Sequence, residues 1–141
     1  MIWIILIIGI VVFIIFRYLN ESDKDKEDLQ SKSLDEKFKH TVRVLNEYVF
    51  NGQGEIINFK KKGYFNLYKH PSNQLLQFSY FSGCLTIVWH YKYFQKETSH
   101  KKVFCNVRNL SLFEQQRIGE EMIEEMKIVI LNFQASVLNG V

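Results

Sequence analysis

The chain opens with a run of apolar side chains that no charge interrupts before Arg17. A helix over residues 1–16 spans about 24 Å, and Arg17, Tyr18 and Leu19 lengthen it toward the roughly 30 Å of a bilayer's hydrocarbon core. The run is apolar on all sides, which is typical of a helix surrounded by lipid. The pattern predicts a single-pass transmembrane anchor over residues 1–19 that the mature protein keeps.

Side chains with an apolar body and a polar tip stand near both ends of this predicted anchor. The aromatic rings of Trp3 and Tyr18 are of the kind that prefers the headgroup level. Arg17 can extend its charged head to the same level while its stem stays in lipid. The residues expected to form the anchor are Trp3, Ile7, Val11, Phe16, Arg17 and Tyr18.

Two alternatives for the same stretch have less support. A cleaved signal peptide has Lys or Arg before its apolar run and small residues after it, whereas this run is followed by Arg17, Tyr18 and Leu19. A core helix of a soluble protein would need protein on every side. A retained anchor is therefore the prediction.

Positive charge beside the anchor sets its predicted orientation. Lys and Arg close to a span favour the cytoplasmic side of the membrane, and Arg17, Lys24, Lys26 and Lys32 all follow the anchor. We therefore expect a membrane protein whose soluble domain lies in the cytoplasm.

Residues 20–32 are polar, mixed in charge and almost free of apolar side chains. Such a stretch cannot bury a face, so it is predicted to be a linker between the anchor and a domain at residues 33–141. The sequence also allows a helical continuation of the anchor, because closely spaced Asp, Glu and Lys side chains can pair along a solvated helix.

Helical periodicity returns twice within the predicted domain. The sequences "SLDE" from Ser33 and "SLFE" from Ser111 have the spacing of capping boxes, and each precedes apolar residues at helical intervals. The first helix is expected to end near Phe50, before the turn-forming "NGQG", and the second near Val137. Residues 128–131 read "IVIL", so the second half of the last helix is expected to be more deeply buried or to cover a second surface.

Between these helices lie five stretches that are rich in β-branched and aromatic residues, which favours strands. Turn residues separate them, and the short connections predict antiparallel pairing in a meander. The predicted fold is therefore α+β: an N-terminal transmembrane helix, then a domain of one helix, a five-stranded antiparallel meander and one helix. The predicted strands are residues 55–60, 64–69, 74–82, 84–95 and 101–108.

The stretch 84–95 shows the clearest alternation of the five. One side of it is apolar, which indicates a core face, and the other side is at least partly wet. Two helices can cover one face of a meander, so the second face is expected to need polar side chains, a partner or self-association. The core side is Leu85, Ile87, Trp89, Tyr91 and Tyr93. The candidate partner contacts on the second face are Tyr64, Tyr68, Thr86, Val88, His90 and Lys92.

The composition agrees with one globular domain behind an anchor. The 141 residues are 47% hydrophobic and 15% aromatic with a single proline, which is not the composition of a disordered chain. Cys84 and Cys105 are too few for a disulfide scaffold and suggest a reducing compartment. They fall in neighbouring predicted strands, so they are able to pair if the predicted orientation is wrong.

Charge is distributed unevenly along a chain whose net charge is +3. Residues 51–109 carry nine Lys or Arg against two acids, whereas residues 110–141 carry five acids against two bases. The two regions could attract one another within the fold or between molecules. Basic strands with aromatic side chains also suit anionic lipid headgroups, but the aromatic pattern of an RNA-binding sheet is missing and no nucleic acid is expected.

Sequence motifs that carry chemistry are missing from the chain. Zinc-ligand spacings, nucleophile elbows and phosphate-binding glycine loops do not occur. His90, His100 and Cys105 fall around one predicted hairpin, with His100 in a turn, but their spacing matches no metal site. Four glutamates lie on the predicted solvated side of the last helix, and we expect no metal, cofactor or enzymatic activity. They are Glu120, Glu121, Glu124 and Glu125.

The function that these patterns favour is a membrane-tethered, non-enzymatic module for protein binding or assembly. Its partners would be the membrane, through the N-terminal helix, and another protein or a second copy. Three alternatives stay open: a small inhibitory or immunity-type protein that binds a toxin or effector, a domain that contacts anionic headgroups, and an enzyme with a dispersed site.

Overall fold

A computed structural model describes residues 1–30, 33–58 and 63–140, with the side chains of residues 21–30 left out of that description. The described chain is α+β, as predicted, with a helical segment at its start and a five-stranded antiparallel sheet. The helices are α1 (Ile2–Gln30), α2 (Leu34–Lys37), α3 (Lys39–Phe50) and α4 (Leu112–Leu138). The strands are β1 (Glu55–Asn58), β2 (Tyr64–Tyr68), β3 (Gln74–Phe81), β4 (Cys84–Tyr93) and β5 (Lys96–Phe104).

The strands follow one another across the sheet in chain order, and each pair is antiparallel. The predicted meander is therefore confirmed. Two-residue turns close the two longest hairpins, at Ser82–Gly83 and at Phe94–Gln95, and all four turn residues have positive φ. Such turns match the right-handed twist of the flanking strands.

The prediction for the last strand was wrong at both ends. Residues 96–100 were expected to be a turn, but β5 begins at Lys96 and ends at Phe104. The chain reverses at Phe94–Gln95 instead, so the polar residues from Lys96 onward pair with β4. A polar sequence is tolerated there because β5 is an edge strand, and charged side chains on an edge discourage further pairing.

The hydrophobic core lies between one face of the sheet and the helices α2, α3 and α4. Trp89 lies at its centre with 1% of its surface exposed, and its indole N–H donates to Oε1 of Gln74 at 2.9 Å. Helices α3 and α4 approach closely at Gly119, where a Cβ atom would lie 2.9 Å from Cγ1 of Val44. The predicted core side of β4 is buried throughout, apart from Tyr93, which is half-buried.

The first predicted domain helix is in fact two helices. The backbone breaks at Phe38, whose ring is 1% exposed and lies 5.9 Å from the ring of Tyr80. Ser33 precedes the first turn, but its side chain makes no capping hydrogen bond, so the capping box predicted there is wrong. At α4 the Ser111 hydroxyl does accept from the backbone N–H of Glu114, as predicted.

Helix α1 includes the predicted anchor and continues past it. Residues Ile2–Asn20 are long and apolar enough to cross a membrane, and none of this stretch is buried. The backbone stays helical to Gln30, which is the helical alternative for the predicted linker; residues 31 and 32 lie outside the described chain. Tyr18 meets the domain at the end of β3, where its ring lies 6.0 Å from that of Phe81.

Cys84 and Cys105 form a disulfide. They follow directly from the pairing of Leu85 with Phe104, which places the two cysteines opposite each other across β4 and β5. The expectation that two cysteines indicate a reducing compartment therefore has no support, since disulfides persist in oxidising ones.

Part of the uneven charge distribution is paired within the fold, between β5 and α4. Lys102 lies 2.6 Å from Oε1 of Glu125 and 3.4 Å from Oε2 of Glu121, while Nε2 of His100 donates to Glu125 at 2.8 Å. The register explains this, because His100 and Lys102 are opposite the core residues Trp89 and Ile87 and so point toward the helix layer. We call His100, Lys102, Glu121 and Glu125 the β5–α4 charge cluster.

This cluster corrects two expectations. His100 lies in a strand and not in a turn, and Glu121 and Glu125 contact the sheet although they were expected on a solvated helix face. The hydrogen bond from Lys102 lowers the pKa of the Glu125 carboxyl below its ordinary value, and the bond from His100 lowers it further. The same bond to Glu125 raises the pKa of Lys102.

The second half of α4 also differs from one of the two expectations for it. All the fully buried residues of α4 lie between Gln115 and Met126. Ile128 and Leu131 are instead 62% and 65% exposed. The expectation that this half is more deeply buried was therefore wrong. Its outer side carries exposed apolar side chains.

The charge cluster generates a prediction about acid stability. Because the pKa of Glu125 is lowered by folding, its contribution is present above the carboxyl's ordinary pKa and is lost as the pH falls through the folded value. Glu125→Gln should lower the free energy of unfolding at pH 7 by up to about 1 kcal/mol, since the carboxylate is partly exposed to solvent. The difference from the wild type should shrink below about pH 4, as measured by urea unfolding.

Glu124→Gln is the matched control for this experiment. Glu124 is the neighbouring glutamate, pairs with Lys127 at 3.0 Å, and its side chain is 72% exposed. Equal effects of the two substitutions would contradict the role given to the β5–α4 charge cluster.

Candidate partner-binding face of the sheet

The face of the sheet that turns away from α3 and α4 is the candidate site, and we call it the open face. Every buried apolar side chain of the helices, among those the structure describes, belongs to the core on the other side. Strand alternation then assigns side chains to the open face, because those between the buried positions of β2, β3 and β4 must point to it. All six predicted contacts fall on it: Tyr64, Tyr68, Thr86, Val88, His90 and Lys92.

A chain of hydrogen bonds crosses the open face from β2 to β5. Nε2 of Gln77 donates to the Tyr64 hydroxyl at 3.1 Å, and Oε1 of Gln77 lies 2.8 Å from Nε2 of His90. Nδ1 of His90 lies 3.0 Å from Oε1 of Glu97. Four strands thus contribute one polar side chain each, and each side chain orients the next.

Two members of this chain were missed by the sequence analysis. Gln77 was not assigned to a face, and Glu97 was placed in a turn that is in fact part of β5. The signal that locates them is the pairing register, in which Gln77 is opposite Val88 and Glu97 is opposite Lys92. That register follows from the two-residue turns at Ser82–Gly83 and Phe94–Gln95.

A cavity of about 410 Å³ opens beside His90. Three of the six predicted contacts line it, namely Tyr68, His90 and Lys92. Its walls combine apolar and polar side chains with both signs of charge. The remaining residues that line it are Ser72, Asn73, Gln74, Leu75 and Glu97.

Exposed apolar side chains flank the polar chain on the same face. Ile57, Phe81 and Val103 are 44%, 57% and 50% exposed, and their pairing with Asn66, Cys84 and Thr86 places them on the open side. The open face therefore offers both fixed hydrogen-bonding groups and apolar contact area, which is the mixture found in interfaces between separate proteins.

The geometry bears on the metal alternative as well. His90 points to the open face, whereas His100 points to the helix layer and bonds to Glu125, so the two imidazoles cannot share an ion. Within the described ranges, no group of three or more His, Cys, Asp or Glu side chains is placed to hold a metal ion.

Comparison of the chain with protein-family models, with curated proteins and with solved structures found no match.

Substitutions on the open face should lower the free energy of unfolding less than substitutions in the core. Gln77→Ala removes a half-buried side chain and two hydrogen bonds, so it should lower the free energy of unfolding by about 1 to 2 kcal/mol at most. Trp89→Ala, on the opposite side of the same sheet, should cost about 3 to 5 kcal/mol because it leaves a cavity in the core. Urea unfolding of both variants measures the contrast, and a cost for Gln77→Ala as large as that for Trp89→Ala would contradict the assignment of the two faces.

Proposed function

We propose that this protein is a membrane-tethered, non-enzymatic binding module that engages a protein partner through the open face of its sheet. The observation that carries the proposal is a sheet whose polar side chains are ordered by a hydrogen-bond chain on the side that the core helices leave uncovered. Burial of apolar side chains does not account for this order, since the core lies on the opposite side.

The apolar helix supports the tethering part of the proposal. A domain attached to a bilayer meets membrane-bound partners at a high effective concentration, so a modest interface is sufficient for binding. Tyr18 contacts Phe81 at the end of the apolar stretch, which brings the domain directly to the end of the proposed span. The helix α1 would then act as the anchor, with Trp3, Arg17 and Tyr18 at its ends.

The side of the membrane on which the domain lies is a separate part of the proposal. The positive residues after the anchor favour the cytoplasm, whereas the Cys84–Cys105 disulfide favours an oxidising compartment. We give the disulfide more weight, because flanking charge only biases insertion and whole domains translocate largely regardless of it. The proposal therefore places the domain on the oxidising side and replaces the cytoplasmic expectation.

Partner binding is tested by a photo-crosslinking amino acid at Tyr64 in the full-length chain in its native membranes. The captured protein is identified, and its affinity for purified full-length chain is then measured. Val88→Asp should weaken that affinity at least tenfold, because it replaces an apolar contact at the centre of the open face with a carboxylate that must lose its water when a partner binds.

Arg43→Ala is the matched control, because Arg43 is on the outer side of α3 with its side chain 71% exposed. It should leave the affinity unchanged. A partner whose affinity is unaffected by Val88→Asp, or equally reduced by Arg43→Ala, would contradict binding through the open face.

The sidedness is tested by the reactivity of the two cysteines in intact cells. On the oxidising side, a thiol-reactive maleimide should label Cys84 and Cys105 only after reduction, and a phosphatase fused to the C-terminus should be active. Labelling without reductant together with an inactive phosphatase would restore the cytoplasmic expectation.

A further inference from the structure

The outer side of the second half of α4 carries a line of apolar side chains. Ile128, Leu131 and Leu138 are 62%, 65% and 67% exposed, and Ala135 between them is exposed as well. These four residues, the α4 stripe, are spaced by three, four and three positions, which is the spacing of a coiled-coil seam.

The helix beneath the stripe is held in place by its inner side. The ring of Phe133 meets that of Tyr91 edge-on with centroids 6.3 Å apart, and Gln134 donates to the Tyr91 hydroxyl at 2.7 Å. Val129 and Ile130 pack against the core. The α4 stripe is therefore presented on an ordered helix, and its exposure does not come from a frayed end.

The bilayer that α1 would enter is not positioned to cover this stripe. Tyr18 touches Phe81, which lies at the Cys84 end of the sheet and on its open face. The stripe belongs to the opposite layer, and Phe133 lies beside Tyr91, seven residues along β4 from Cys84 and so about 23 Å away. The α4 stripe therefore lies at the far end of the sheet from Tyr18 and on its helix side, so the membrane that α1 enters would not contact it.

The charges near the stripe favour a second copy of the chain. Residues 128–140 carry no charged side chain, and the nearest exposed acid, Glu124, is paired with Lys127 at 3.0 Å. In a parallel two-fold contact each residue faces its own copy, so a stripe of like charges would repel itself and a neutral one does not. Two chains anchored in one bilayer share the same direction, which is the arrangement that a parallel contact needs.

We propose that the α4 stripe is a parallel self-association seam between two copies of this chain in the same membrane; the inference depends on the proposed tether. The seam is about 16 Å long, which is short for an interface that must bury at least about 1,000 Å² to be stable in solution. Confinement in the bilayer supplies the effective concentration that the short seam needs.

The test uses full-length chains labelled with donor or acceptor dye on a C-terminal enzymatic tag and reconstituted into vesicles. We expect energy transfer well above that of randomly placed chains, falling as unlabelled chain is added. Leu131→Glu should reduce the transfer to the random level. Leu112→Glu, at a leucine of the same helix that is 68% exposed but lies off the stripe, should leave it unchanged.

Thermal melting of each variant and flotation of the vesicles accompany the measurement. Both variants should melt close to the wild type, because the substituted side chains are exposed. Transfer at the random level in the wild type, transfer that survives Leu131→Glu, or equal loss with Leu112→Glu would each overturn the proposed seam. Chains that fail to float with the vesicles would instead overturn the tether itself, and chains that float without transfer would overturn only the seam.

Discussion

The alternation of buried and outward-facing side chains along β4 fixes how the sheet packs and which residues its two faces carry. Ten consecutive residues place every second side chain in the core, ending with the nearly buried Tyr91 and the half-buried Tyr93. A shift of the strand by one residue would expose Trp89 and bury His90, so burial fixes the register strongly. Two-residue turns connect β4 to β3 and to β5, and turns this short fix the registers of those two strands relative to β4.

The open face is a consequence of that same constraint. Since the core set is buried against α3 and α4, the other set must line up on the far side, and there the register brings Gln77, His90 and Glu97 within hydrogen-bonding distance. The chain of polar contacts is thus built by the packing of the opposite face. The hydrogen bonds of the open face are therefore set by the same register that buries the core residues.

Electrostatics has a different role in this fold. One acidic part of α4 contacts a basic part of the sheet, because the edge strand β5 turns His100 and Lys102 toward Glu125. These contacts between opposite charges help to hold α4 against the sheet. Beyond Lys127 the helix carries no charged side chain. Its charged contacts with the sheet therefore lie in its first part, and the outer side of its second part is uncharged.

Much of the fold follows from local patterns in the sequence. The apolar run of α1, the period-two alternation of β4 and the start of α4 at Ser111 are each encoded in a few consecutive residues, and each is present in the structure. The six candidate contacts could be assigned to one face for the same reason, since alternation depends only on the strand itself. Local sequence therefore determined the type and order of most elements and the two sides of β4.

The way in which the elements meet depends on long-range packing. The break at Phe38, the disulfide between Cys84 and Cys105, and the early start of β5 all depend on contacts between residues far apart in the chain. The same holds for the exposure of Ile128 and Leu131, which are as apolar as any core residue. The hydrophobicity of a side chain determines how much free energy its burial would contribute. Whether other residues cover that side chain depends on how the whole chain packs.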